Sequence, residues 1–289
     1  MRILCTSLWF SVYSQCSSVL VLFLVTLRAT EKTQSYTEKK TYMDIFKSVI
    51  VWLIGICFVV VTFPLTLIIW LLTYPFDKGR AITHMLMMHL SGLLLFLIPI
   101  WTIYIEGREK AVKGTTYVII SNHQSLLDTL MINSLRYKYK WISKIENFNV
   151  PVIGWYLKMA RYITVDRGNE ESKIEMLGKS LNYLRNKISI MIFPEGTRSN
   201  NNEIGFFKRG AFQLAIQANT PILPVLIDGT GGILPKHGLI FGSGHHIRIK
   251  VLDQVNPEDF GTDNPEILAL KFGTLMKSAL KELRAEKSL

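Results

Sequence analysis

The run T-Y-V-I-I-S-N-H-Q-S-L-L-D, Thr116 to Asp128, passes directly from an apolar, β-rich pattern through a polar turn into the start of a helical pattern. A strand handing over to a helix is half of a strand–helix–strand unit, so this stretch decides which fold class to look for. It also holds the only histidine followed five residues later by a carboxylate, His123 and Asp128. Helix positions five apart lie roughly 140° around the cylinder and do not share a face. The two side chains meet only if His123 sits on the turn before the helix, leaning back over its first turn. Two readings stand open: a histidine poised to take a proton, or a turn in which Ser121 or Asn122 caps the helix and Asp128 is solvated.

Outward from this stretch the alternation continues. Short β-branched runs fall at 117–121, 141–143, 162–165, 188–193, 222–227 and 247–252, with helical patterns at 126–134, 170–185, 210–218 and 265–287. In 170–185, Ile174, Met176, Leu177, Leu181 and Leu184 recur at helical spacing, with Lys and Glu on the other side. Strands alternating with crossover helices predict an α/β fold, a mainly parallel sheet flanked by helices on both faces. In such sheets ligands bind beyond the carboxyl ends of the strands. That is where this chain gathers its polar clusters.

The 289 residues are 49% hydrophobic and carry a formal net charge of +11. The apolar content is concentrated before Gly107. Segments 3–27, 48–76 and 81–105 hold no formal charge when their histidines are neutral, and each could cross or dip into a bilayer, which takes about 20 apolar residues. The middle one is the strongest, with Trp52, Trp70 and Tyr74 suited to interface positions and Pro64 placed to kink it. His84, His89 and Ser91 dilute the third. The first is diluted by serines and reads equally as a signal-like segment, an extra anchor, or sequence ahead of a start at Met43. The polar run 31–40 reads as a linker. The expected organisation is an N-terminal apolar segment and linker at 1–42, membrane-anchoring helices at 43–106, and the α/β domain at 107–289.

All three cysteines, Cys5, Cys16 and Cys57, lie in the apolar segments. The domain after them therefore has no cysteine nucleophile, thiolate zinc site or disulfide framework. Such usage fits a reducing compartment, hence a domain facing the cytosol from a cytoplasmic or inner membrane. From Gly107 onward, 25 Lys and Arg stand against 17 Asp and Glu, an excess that suits an anionic membrane surface or anionic substrates. Nucleic acid is the rival partner for a basic chain, and the fold context it needs is not found. His237, His245 and His246 have no acidic or cysteine partner at ligand spacing, so no metal is expected.

Two further clusters follow apolar runs. Asp166-Arg167-Gly168 follows 162–165, and F-P-E-G-T-R-S, Phe193 to Ser199, follows 188–192. In the latter Gly196 lets the backbone approach an anion, Thr197 offers a hydroxyl, and Arg198 can fork onto phosphate. Lys208 and Arg209 come next, ahead of a helix whose N-terminus also favours an anion. Taken singly, Arg167 is a surface charge and Glu195-Gly196-Thr197 a turn. Taken together, N-H-x4-D, a strand leading to Arg167, F-P-E-G-T-R-S and then P-I-L-P-V at 221–225 closely resemble the glycerolipid acyltransferase family, in particular its 1-acyl-sn-glycerol-3-phosphate acyltransferases. The resemblance covers roughly 116–229. In the second block the family usually begins with Gly, where this chain has Arg161.

The resemblance implies that His123 is the general base for a lysolipid hydroxyl and that Asp128 orients and polarises it. It implies that Arg167, Glu195, Gly196, Thr197 and Arg198 form the glycerophosphate site, with Lys144 at a basic position near it and Pro224 in the last block. It further implies a fatty acyl thioester of acyl carrier protein or coenzyme A as co-substrate, lysophosphatidic acid in the membrane as acceptor, and no cofactor. The chemistry agrees independently. A thioester is already activated, so transfer to an alcohol needs positioning and removal of one proton, work suited to a histidine beside a carboxylate. No covalent intermediate is required and no G-x-S-x-G appears, which makes Ser125 a poor nucleophile. Glu195 would repel a phosphate, so it is expected to fix Arg198 or a backbone amide instead. The same set fits another lysolipid acceptor, and a lipid-binding adaptor without activity is the rival class.

Overall fold

The strand-to-helix reading of the opening stretch is met in the computed structural model of the chain, which describes residues 42–98, 100–242 and 246–286. The expectations for 3–27, the linker 31–40, Cys5, Cys16, His245 and Lys287 lie outside the described residues. The chain divides into two units, Met1–Val49 and Ile50–Leu289. Of the first, only the opening of helix α1 is described.

Helix α1, Tyr42–Thr73, is long and apolar enough to cross a membrane, and it runs unbroken through Pro64. Within the second unit Val51, Thr62 and Thr66 form its buried stripe, while Leu53, Val60, Val61, Leu65, Ile68 and Leu72 are exposed. A helix apolar on every side, with only a narrow stripe covered, suits a lipid environment. Segment 81–105 is not one apolar helix. It breaks into α2, Ala81–Leu97, and strand β1, Thr102–Glu106. Two of the three polar residues that diluted it face protein: His84 Nδ1 lies 2.8 Å from the Tyr162 hydroxyl, and Ser91 Oγ accepts from Asn133 Nδ2 at 2.8 Å, while His89 is exposed.

The sheet contains β1, β2 (Val118–Ser121), β3 (Tyr139–Lys144), β4 (Ile163–Val165), β5 (Ser189–Ile192), β6 (Ile222–Asp228) and β7 (His246–Val251). Their order is β1-β7-β6-β2-β5-β3-β4. Strands β6, β2, β5, β3 and β4 are mutually parallel; β7 is antiparallel to β6, and β1 parallel to β7. The sheet therefore begins at Thr102, ahead of the expected domain start at Gly107. Glu106 pairs there with Arg248 of β7 at 3.0 Å.

Helices α3 (Asp128–Ser134), α4 (Ile153–Met159), α5 (Glu170–Arg185), α6 (Gly210–Gln217), α7 (Thr230–Ile233) and α8 (Pro265–Ala285) connect and flank the strands. Central strands buried on both faces read as unbroken apolar runs, and β2 shows this. Val118 and Ile120 enter a core with Phe212, Leu268 and Phe272, while Ile119 enters the opposite one with Met131, Ile132 and Leu135. Each fully buried side chain of this size contributes about 1.5–3 kcal/mol. Helix α5 starts at its Asn169 cap, whose side chain accepts from Ser172 N. Helix α8 starts at Asn264, followed by Pro265 at a position that needs no N–H. Pro224, fully inside β6, sits at the margin of a ladder. Its carbonyl accepts from Leu252 N at 2.9 Å, and the proton it lacks falls just past the last β6–β7 pair, Val225 with Val251.

Arg161 occupies a left-handed position, φ 51°. That is the backbone conformation only glycine takes without strain. The glycine that the resemblance led one to expect at this position would thus have a local cause. Here the turn is held by Arg161 N donating to Lys158 O and by the Tyr183 hydroxyl donating to Arg161 O, at 3.0 and 3.1 Å.

Candidate active site

His123 lies on the turn between β2 and α3, and Asp128 is the first residue of α3. Their side chains meet as the spacing required, with His123 Nδ1 2.7 Å from Asp128 Oδ2. The capping reading fails. Asn122 donates from Nδ2 to Ile227 O at 2.8 Å and accepts from Ile227 N at 2.9 Å, so its amide extends the sheet toward β6. Asp128 is fully buried rather than solvated.

Four donors converge on that carboxylate. Oδ2 accepts from Gln124 N at 2.7 Å and Ser125 N at 2.8 Å as well as facing the imidazole. Oδ1 accepts from the Thr230 hydroxyl at 2.6 Å. An oxygen already taking two amide protons presents only lone pairs to the ring, so Nδ1 carries the hydrogen and Nε2 is the unprotonated nitrogen. The imidazole also stacks on Phe193, centroids 4.0 Å apart and planes within 7°, and Trp141 backs Phe193 at 5.4 Å. Ring plane and tautomer are both fixed. Ser125 Oγ donates to Leu234 O at 2.7 Å from a fully buried position, which leaves it no role as a nucleophile.

Glu195 is buried, and both of its oxygens are occupied by main chain. Oε1 accepts from His123 N and Oε2 from Gly205 N, each at 2.9 Å. Burial pushes its pKa up, and the two amide hydrogen bonds oppose that. Of its two expected roles, holding Arg198 or holding a backbone amide, the geometry selects the second. Glu195 ties the His123 turn to the loop before α6, and Ser199 N reinforces the tie by donating to His123 O at 2.7 Å.

Gly196 has φ 71°, and a Cβ there would lie 3.3 Å from Lys208 Cε and Nζ. Thr197 is exposed and Arg198 half-buried. Among the described residues neither Arg198 nor Lys208 has a side-chain hydrogen bond or ion pair, so both cations are unspent beside the His123 turn. Lys144 ends β3 and pairs with Glu146 at 2.6 Å. The Lys144 hydrogen bond, assisted by the charge of Arg167, holds the Glu146 carboxyl below its usual range. Arg167 follows β4, whose Val165 is in register with Lys144. His123, Asp128, Lys144, Arg167 and the Glu195–Arg198 loop therefore stand at one edge of the sheet, beyond the carboxyl ends of adjacent parallel strands. The residues are not all in contact. Arg167 lies three strands from His123, about 14 Å at roughly 4.8 Å per strand, so a ligand reaching both must extend along that edge.

Phe193, Gln124 and Thr230 were given no role from the sequence, and Asn122 only that of a helix cap. Phe193 carried a signal, as an aromatic directly after a strand end beside the candidate base. Thr230 carried none, standing 102 residues from Asp128.

A histidine on a buried carboxylate, with cations that are unpaired among the described residues beside it, is the arrangement expected of base-assisted transfer to an alcohol, and residues 102–228 match the family described as Acyltransferase. A 1-acyl-sn-glycerol-3-phosphate acyltransferase of Saccharomyces cerevisiae is 32% identical over 210 residues, 71% of this chain and 67% of the yeast protein. The Mus musculus alpha enzyme of the same name is 30% identical over 213 residues, 72% and 74% of the two chains. A chloroplastic relative from Brassica napus is 36% identical over 192 residues, covering 63% of this chain and 55% of that one. The chain spans about half the length of several of the curated relatives it matches. The crystal structure of the 1-acyl-sn-glycerophosphate acyltransferase PlsC from Thermotoga maritima shares the fold, with TM-score 0.72 over 85% of this chain and 98% of that one, at 23% identity. The chain belongs to the 1-acyl-sn-glycerol-3-phosphate acyltransferase family of acyltransferases.

Proposed function

We propose that the chain transfers a fatty acyl group from an acyl thioester to the sn-2 hydroxyl of 1-acyl-sn-glycerol-3-phosphate, giving phosphatidic acid. The observation that carries this reading is the 2.7 Å contact of His123 Nδ1 with Asp128, which leaves Nε2 as the proton acceptor. Nε2 takes the hydroxyl proton as the oxygen attacks the thioester carbonyl. The buried carboxylate stabilises the imidazolium that forms. The tetrahedral intermediate then expels the thiolate, which takes the proton back from the imidazolium, so His123 is restored and the thiol leaves. Arg198, Gly196 and Thr197 hold the phosphate, with Arg167 and Lys144 further along the same edge. Anchoring that end of the substrate makes attack at the other end effectively intramolecular.

The length and apolar surface of helix α1 support a membrane location, where lysolipid and product reside, and the cysteine usage supports a domain on the cytosolic side. Acyl carrier protein and coenzyme A both fit as donor, since each would present its thioester on an anionic carrier to a basic domain. The purified chain, offered a panel of lysolipids with each donor in turn, should convert lysophosphatidate, with the products read by mass spectrometry. Consumption of a different lysolipid while lysophosphatidate is untouched would move the assignment to that acceptor. Lipid binding with no product from any pairing would favour a non-enzymatic adaptor.

A further inference from the structure

We infer that Thr230 is a positioning residue of the acyl-transfer site, the donor that fixes Asp128 and, through it, His123. The inference rests on His123 acting as the base. The Thr230 side chain is fully buried, and its hydroxyl lies 2.6 Å from Asp128 Oδ1 and 3.4 Å from Gln124 Oε1. A hydroxyl has one proton. The shorter contact, to a charged acceptor, takes it. Without that proton Oδ1 would be a buried carboxylate oxygen with no donor, and the carboxylate could rotate about its bond to relieve it. With it, both oxygens are committed, and Oδ2 stays turned toward the imidazole.

The backbone that delivers Thr230 is built to hold one position. Gly229 before it has φ 98°, and a Cβ there would lie 2.2 Å from His246 O, so only glycine fits the turn out of β6. Asp228, one residue earlier, accepts from Arg284 Nε and Nη2, both at 3.0 Å. The same arginine donates to Asn202 O at 2.7 Å, and Gln124 Nε2 donates to that carbonyl at 3.1 Å. The turn out of β6, helix α8 and the His123 turn are thus tied together around the hydroxyl. A threonine kept only for packing would not need this register.

The test uses the full chain in detergent or nanodiscs, with the thioester and lysolipid that support turnover. Thr230→Val keeps the shape and removes the donor. It should lower kcat at least tenfold, with KM for the lysolipid within about twofold of wild type. It should also displace the acid limb of the kcat profile, because the carboxylate facing the imidazole has lost a donor and the orientation that donor fixes. The other charged groups beside the His123 turn, Glu195 on the main-chain N–H groups of His123 and Gly205 and the cations Arg198 and Lys208, are the same in every variant. Thr230→Ser should restore most of kcat, and Thr230→Cys, a weaker donor, should fall between Ser and Val. If Val unfolds the protein, the Ser-over-Cys order and the pH limb decide the matter. Near-wild-type kcat in the Val variant would overturn the inference. So would a Ser variant as impaired as Val, a loss confined to KM, or superimposable pH profiles. A wild-type chain with no acyl transfer at all would instead remove the base on which the inference stands.

Discussion

Lys140 and Asp128 show the two ways this domain handles a buried charge. Asp128 is surrounded by donors, whereas Lys140 is buried against backbone carbonyls, its Nζ 2.7 Å from Ala160 O, with no carboxylate at ion-pair distance among the described residues and only the more distant charge of Asp77 to favour its proton. Burial lowers the pKa of Lys140 from 10.5 to about 8. Above pH 8 the folded protein has released this proton, while the unfolded chain keeps it until about 10.5. The unfolded state binds more protons in that window, so stability rises with pH across it. Between pH 7.5 and 9.5 the gain is about 2 kcal/mol, before the buried Tyr139 and Tyr162, whose pKa values are raised, act in the opposite sense. Denaturant midpoints of wild type should climb over this range, and those of Lys140→Met should stay flat. Equal rises in both would assign the effect elsewhere. Neither Lys140 nor Thr230 was readable in the sequence, because a lone residue has no spacing to betray its partner. His123, Asp128 and Glu195 were readable because residue type and local order together demanded specific neighbours. Even so, Glu195 needed the fold to show which backbone amides it holds.

The elements most easily read were those with a repeating pattern. Helix α5 runs over the expected 170–185, and β2 through β7 fall within a residue or two of their apolar runs. Strand β1 and helix α4 were missed for physical reasons. β1 is an edge strand with three exposed and two half-buried residues, so its apolar side chains merged with those of α2 into one apparent segment. α4 is seven residues long, too short for helical periodicity to declare itself. The connection from α4 to β4 carries a local cost at Arg161, φ 51°. A non-glycine residue there pays roughly 1–2 kcal/mol, partly offset by the extra freedom glycine would have when unfolded. Arg161→Gly should therefore raise stability by about 0.5–1 kcal/mol, seen as a higher denaturant midpoint with unchanged slope. A loss of stability would mean that the hydrogen bond from its guanidinium to Lys78 O outweighs the strain.

For the molecule as a whole, the strand order explains why the motifs are dispersed along the sequence yet stand together. Strands β6, β2, β5, β3 and β4 are neighbours in that order, so Thr230, His123, the Glu195–Arg198 loop, Lys144 and Arg167 line one edge in sequence-scrambled succession. The His123 turn and the Glu195–Arg198 loop follow neighbouring strands, β2 and β5, and Lys144 and Arg167 follow the next two outward. The parallel α/β class followed from the alternation of patterns, whereas the order of strands did not, since no local signal says which strands pair. The most direct test of base catalysis is phosphatidate formation by the purified full chain in nanodiscs containing lysophosphatidate, with an acyl thioester added. Wild type should form phosphatidate with stoichiometric release of thiol. His123→Ala should be slower by about 10²–10⁴-fold at an unchanged thermal unfolding midpoint. A folded His123→Ala variant that keeps a tenth or more of the wild-type rate would contradict the assignment of His123 as the base.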